Sequence, residues 1–299
     1  LKERADAVSS SSGADRYRVP VSALVPFLVV AFGLAWTIIG LYIFAPAQLA
    51  GLFGALTGQH PLFYLAVYSP AIAALALVAR HTGFAGLKRY LSRLLLWRCS
   101  PAWWIFLILG IPMLFVVGAL LKGGLFAAMP SFTSFRSVLA ALAFAAIKGP
   151  VEEFGWRGLA LPLLQRKMAP VWASLVLGVI WGLWHLPAFL VGGTQQSAWA
   201  FTPFFIGAVA LSVIVTAMFN SSGGSILLPV IFHFQLINPL WPDAQPFDTY
   251  PVVAASILVF VLNRRSMLGR RHAVTEVVPK ENILRERRDR GRRGVRPTT

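Results

Sequence analysis

Apolar residues in this chain come in long blocks and do not alternate with polar ones. The blocks fall at about 21–44, 61–79, 101–121, 137–165, 169–190, 202–219, 225–240 and 251–263. Most approach the roughly twenty residues that carry a helix across a bilayer core. A segment in lipid must satisfy its own backbone, so each block is expected to be helical. The pattern predicts an all-α protein, a polytopic transmembrane helix bundle of about eight spans. Its fourth span is interrupted at Gly149-Pro150 and its last is short. Residues 1–20 form a polar lead segment, 21–263 the membrane domain, and 264–299 a basic extension expected to be solvated and mostly unfolded. Nothing at the N-terminus reads as a cleaved signal, since the first block is too long for an h-region and lacks a clear small-residue cleavage site.

Composition agrees with the pattern. Hydrophobic residues make up 57% of the chain and charged residues 13%, against roughly 25% charged in a soluble domain. The net charge is +16, and half of it comes from the twelve Lys/Arg and four Asp/Glu that follow Asn263. Beside a membrane domain, such a block is read as cytoplasmic retention and attraction to anionic lipid, not as a nucleic-acid site. Arg80, Lys88, Arg89, Arg93 and Arg98 in one loop, and Arg166 and Lys167 in another, add to it. Eight spans with both termini in the cytoplasm put these basic segments on the cytoplasmic side; Lys122 and Arg136 fall on the other. The expected location is the plasma membrane. A single cysteine, Cys99, excludes an internal disulfide.

From Arg16 to Pro242 the only acidic residues are Glu152 and Glu153. Even lenient estimates put one charge at the bilayer centre at about 2.5–3.5 kcal/mol, so such residues are functional candidates by default. Lys148 precedes Glu152 by four residues and Arg157 follows Glu153 by four, so helical ion pairing is the plainest alternative. Gly149-Pro150 weakens the first pair, because proline breaks the helix there. A helix restarting near Pro150 places both glutamates in its first turn. The Glu153–Arg157 pair is expected to form. His185 and His233 fall inside the fifth and seventh spans, whereas His60, His81 and His272 fall in loops or the tail. At 1.5 Å per residue from the cytoplasmic ends, Glu152 lies about 20 Å deep, His185 about 25 Å and His233 about 14 Å. A carboxylate and two imidazoles at similar depth can hold a divalent ion such as zinc, or can activate water without one.

The run Glu152-Glu153-Phe154-Gly155-Trp156-Arg157-Gly158 resembles the EExxxRG signature of the CPBP intramembrane proteases, which include CAAX prenyl endopeptidases and bacteriocin-processing or immunity proteins. Trp181 to His185 resembles their FxxxH motif, with Trp for Phe. Gly223 to His233 resembles the approach to their HxxxN motif. The likeness covers roughly 140–240. It implies a peptide-bond hydrolase acting on a membrane-associated or lipidated peptide or protein. Glu152 is then the general base or metal-linked carboxylate. His185 shares in activating water or binds the metal, and His233 is a second ligand or contacts the substrate carbonyl. Glu153 and Arg157 form a supporting pair. A zinc or other divalent ion on Glu152, His185 and His233 is one of two mechanisms the family admits; the other is metal-free.

One departure concerns the oxyanion group. Four residues after His233 stands Ile237, and the asparagine follows as Asn238. In a regular helix Asn238 points about 140° away from His233, so a bulge before Pro239 is needed to bring it to the site. Two other functions stay open: an inactive family member serving as a membrane scaffold or immunity protein, and a proton-coupled transporter relaying protons through buried Glu and His.

Overall fold

The computed structural model describes residues 17–279. Most of the expected lead segment and the outer half of the basic extension lie outside the described residues. Among the described residues all regular structure is helical. Six helices are long and apolar enough to cross a membrane: α1 (Val21–Phe44), α2 (Ser69–Leu95), α3 (Pro101–Lys122), α6 (Pro170–Leu190), α7 (Phe201–Ser221) and α9 (Thr249–Leu268). Between α3 and α6 runs the interrupted span, α4 (Phe135–Lys148) followed by α5 (152–165). Between α7 and α9 lies α8 (Leu227–Leu236). Its ten residues rise about 15 Å, half of a hydrocarbon core.

Local chemistry sets the breaks. Proline opens α3 and α6 at the first turn, where its missing N–H costs nothing. Ser134 and Ser137 cap α4 reciprocally, at 3.2 and 3.1 Å. The α2 helix is kinked at Gly83, whose φ of +65° suits glycine. After Lys148 the helix tightens through Gly149-Pro150. Glu152 N–H donates to the Gly149 carbonyl at 3.0 Å, and Glu153 N–H to that of Pro150 at 3.2 Å. Within α5 the turns widen over Trp156–Ala160 before tightening again.

The α5 segment is the centre of the bundle. It packs on α2 and α6, while α7 lies between α6 and α9 and α1 covers α2. Trp156 is fully buried between Phe27 and Trp184, with ring centroids 5.4 and 5.8 Å away. The outside is aliphatic instead: Val25, Leu109 and Leu262 are 66, 60 and 74% exposed, as a lipid-facing surface requires.

The two ends of the bundle differ. One gathers the connections near residues 93, 166, 222–226 and 270–279, and holds Arg93, Arg166, Lys167, Arg264, Arg265, Arg270 and Arg271. The other gathers the loops near 58, 128, 193 and 243. There Gly58 N–H donates to the Gly193 carbonyl at 3.2 Å and Asp243 N–H to that of Ala128 at 2.8 Å. The segment after Asn263 was expected to be solvated. Instead α9 continues to Leu268, and 270–279 turns back onto the basic end. Val277 and Val278 are buried there. Gln165 and Arg166 donate to the carbonyls of Val274 and Thr275 at 2.9 and 2.7 Å. Arg93, itself buried, donates to the carbonyls of Gly224, at 2.9 Å, and of Glu276. Charge count alone hides this, because the segment is docked by its valines and its backbone.

Asp248 stands just before α9 and is 8% exposed. Burial pushes its carboxyl up to about 6, against the opposing hydrogen bond from Gln245. The folded chain thus keeps a proton that the unfolded chain loses near the ordinary value of 3.8. Stability falls as pH rises from there through about 6 and stays low above it. Asp248→Asn is expected to raise the unfolding temperature in detergent more at pH 8 than at pH 4. Equal shifts at both pH values would contradict this.

Candidate active site

Glu152 and Glu153 open α5 and are 3 and 1% exposed. Adjacent on one turn, they point to different partners. Glu153 Oε1 accepts from Arg157 Nη1 at 3.0 Å, one helical turn on, and from His233 Nδ1 on α8 at 2.8 Å. The expected Glu153–Arg157 pair is therefore present, and Arg157 is 1% exposed. Its guanidinium also lies over the Trp181 ring, 4.8 Å from the centroid. Glu152 has no cation in hydrogen-bond reach among the described residues. Its Oε2 accepts from two indoles instead, Trp181 Nε1 at 2.9 Å and Trp156 Nε1 at 3.3 Å.

The two histidines flank the same indole. Ring centroids of His185 and His233 lie 5.4 and 5.7 Å from that of Trp181. His185 Nδ1 lies 2.8 Å from the Trp181 carbonyl. A carbonyl only accepts, so Nδ1 carries the proton and Nε2 of the neutral ring keeps a lone pair. His233 uses Nδ1 on Glu153, which leaves its Nε2 on the Gly149 side. A side-chain carbon on Gly149 would come within 2.6 Å of that nitrogen, so this close approach needs glycine.

Glu152, His185, His233 and Asn238 all line one cavity of about 830 Å³. Its walls include the loops around 58, 130, 195 and 243, so it opens at the end opposite the basic one. Asn238 reaches it without a bulge. The α8 helix stops at Leu236, and Ile237 leaves helical geometry at φ −112°, ψ 16°. The 140° offset of a regular helix therefore does not apply. Asn238 Nδ2 donates to Gln235 Oε1 at 3.0 Å and its Oδ1 accepts from Leu240 N–H at 3.1 Å, so one amide hydrogen is left over.

The donor set does not suit a metal in this arrangement. Among the described residues no three His, Cys, Asp or Glu side chains converge as ligands, and Glu152 Oε2 already takes two N–H groups. By sequence Trp181 is an aromatic in place of Phe, yet its ring touches both histidines and Arg157 and its N–H holds Glu152. The signal was there: an indole carries a donor that a phenyl lacks. His60, set aside as a loop residue, caps the helix Pro61–Val67 through Nδ1, at 3.1 Å from Leu62 N.

Comparison with known proteins agrees with the motifs. Residues 133–236 match the family model described as type II CAAX prenyl endopeptidase, Rce1-like. The chain is 35% identical over 141 residues to CAAX prenyl protease 2 of Methanococcus maripaludis, covering 43% of this chain and 51% of that protein. It thus spans about half the length of that curated relative. Residues 133–236 thus resemble the CAAX prenyl endopeptidases, and the six long apolar helices make the chain an integral, multi-pass membrane protein.

Arg157→Met would leave Glu153 buried without its guanidinium, at a cost of about 3–5 kcal/mol. Unfolding in detergent should show this loss. The double variant Glu153→Gln/Arg157→Met should be more stable than Arg157→Met alone. A double variant no better than the single would mean that the pair does not hold this turn.

Proposed function

We propose that this protein is an intramembrane endopeptidase that hydrolyses a peptide bond of a membrane-associated or lipidated substrate. The observation that carries the reading is the meeting of Glu152, His185, His233 and Asn238 on one cavity among apolar helices. Glu152 Oε2 is held by two neutral donors, which leaves Oε1 to take a proton from water. His185 Nε2 is free to orient the same water. The oxygen adds to the scissile carbonyl, and the C–N bond then breaks. The proton taken by Glu152 passes to the leaving amine, so water is consumed and an acid and an amine are released. His233 Nε2 and the spare Asn238 hydrogen are the groups offered to the carbonyl oxygen. Glu153 and Arg157 position His233.

Glu152→Gln should reduce cleavage of a membrane-tethered peptide in proteoliposomes by at least a hundredfold, with His185→Ala and His233→Ala similarly impaired. Full activity in Glu152→Gln would sink the protease reading. A chelator should leave the wild-type rate intact; loss of activity that zinc restores would instead support a metal held by Glu152, His185 and His233.

Orientation follows from charge. With the basic end cytoplasmic, both termini are cytoplasmic, the arginines there meet anionic lipid, and the cavity opens on the opposite side. Cys99, half-buried and near the basic end, makes a native probe. An impermeant maleimide should label it only in opened cells, whereas Gln59→Cys in a Cys99→Ser background should be labelled in intact ones. The reverse pattern would invert the topology.

A further inference from the structure

The end of α2 carries two buried polar side chains that the proposed chemistry does not use. Tyr90 and Arg93 are 0 and 2% exposed. They stand three residues apart where the helix tightens over Ser92–Leu95, so both turn to one face. Tyr90 Oη donates to the carbonyl of Phe154 on α5, the residue directly after Glu153. Arg93 Nη1 donates to the Gly224 carbonyl at 2.9 Å, and the Arg93 carbonyl accepts from Ile226 N–H at 3.2 Å, just before α8 begins. A glycine makes room at each contact. A side-chain carbon on Gly158 would come within 2.0 Å of Tyr90 Oη, and one on Gly224 within 2.2 Å of Arg93 Nη1. The φ of Gly224, +85°, also suits glycine. Arg93 Nη2 donates to the Glu276 carbonyl, so the docked C-terminal segment closes over this end of α2.

One turn of α2 therefore reaches both helices on which the site depends: α5, which carries Glu152 and Glu153, and α8, which carries His233. The ten residues of α8 cover only half of a hydrocarbon core, so its depth is set by what holds its ends. We propose that Tyr90 and Arg93 are positioning residues: together they hold α5 and α8 at the separation at which His233 Nδ1 meets Glu153 Oε1, 2.8 Å away. Neither lines the cavity, so neither is placed to touch a substrate. The residue types suit the task. A guanidinium is a rigid fork that can hold two carbonyls at once, here those of α8's approach and of the docked segment. A tyrosine ring fixed by burial aims its hydroxyl at one point of the α5 backbone. The inference rests on the protease reading for what this placement serves, but the placement itself can be measured without cleavage.

The test uses full-length protein in proteoliposomes with two separate readouts: cleavage of a membrane-tethered peptide, and the nitrogen NMR signal of His233 Nδ1 in histidine-labelled protein, assigned with His233→Ala. Tyr90→Phe removes one hydroxyl and keeps the ring. It should lower kcat about tenfold or more while KM changes by less than about twofold, and it should shift the His233 signal. Arg93→Met should do the same, and Arg93→Lys should retain more of both than Arg93→Met. The matched control is Tyr42→Phe, which removes a buried tyrosine's bond to the Gly54 carbonyl at 3.2 Å, away from α5 and α8; neither readout should change. In a Glu153→Gln background, Tyr90→Phe should add little to the loss of kcat, because the contact it serves is already gone. A His233 signal unmoved in Tyr90→Phe and in both Arg93 variants overturns the proposal. So does a loss in Tyr42→Phe equal to that in Tyr90→Phe, or a fully additive loss in the Glu153→Gln background. A shifted signal in a protein that cleaves nothing upholds the placement, and only the protease reading then fails. If Arg93→Met does not fold, Tyr90→Phe and Arg93→Lys decide the matter.

Discussion

Two neighbouring carboxylates are buried inside a bundle with no other acidic residue between Arg16 and Pro242, and much of the architecture answers that constraint. A buried charge is tolerated only when it is paired and its lone pairs are filled. The two glutamates find different partners. Glu153 receives a guanidinium from its own helix and an imidazole N–H from α8. Glu152 receives neutral donors, the indoles of Trp156 and Trp181. An ion pair would bind a carboxylate into the scaffold, whereas two N–H groups on one oxygen fix its direction and leave the other oxygen for the cavity. In the proposed reading, this asymmetry separates a supporting carboxylate from one available for chemistry.

The rest of the scaffold lets these groups approach one another. The break at Gly149-Pro150 lets α4 and α5 meet near the middle of the bundle. Gly149 lets His233 come against the backbone, and a side-chain carbon on Gly155 would meet the Pro70 carbonyl oxygen at 2.6 Å. Ending α8 after ten residues leaves room for the loop that brings in Asn238. At the basic end, the docked segment 270–279 covers Gln165, Arg166 and Arg93. The cavity therefore communicates with the loops of the opposite end, and the charged end is occupied by structure.

Much of this was legible in the chain. Block lengths of apolar residues predict membrane helices because lipid leaves the backbone no other solution, and the two odd segments, one broken and one short, appear in the pattern as well. Scarcity exposed Glu152 and Glu153, since an acid in such surroundings stands out without any partner being known. The +4 spacing of Arg157 predicted the ion pair through helix geometry alone. Asn238 was harder to place. A continuing helix turns it about 140° from His233, but the helix ends at Leu236.

The sequence by itself determined the helical class, the membrane setting, the candidate site residues and the local Glu153–Arg157 pair. Each follows from composition or from contacts within a few residues. Only the tertiary structure decided that His233 donates to Glu153 across 80 positions, and that Trp181 bridges Glu152, Arg157 and both histidines. It also decided that Lys148 lines the cavity and that the valines after Gly269 dock on the basic end. Those contacts join segments far apart in the chain. Which face each helix turns to its neighbours is set by how all of them pack at once, and a linear pattern of apolar residues on all sides of a membrane helix does not encode it.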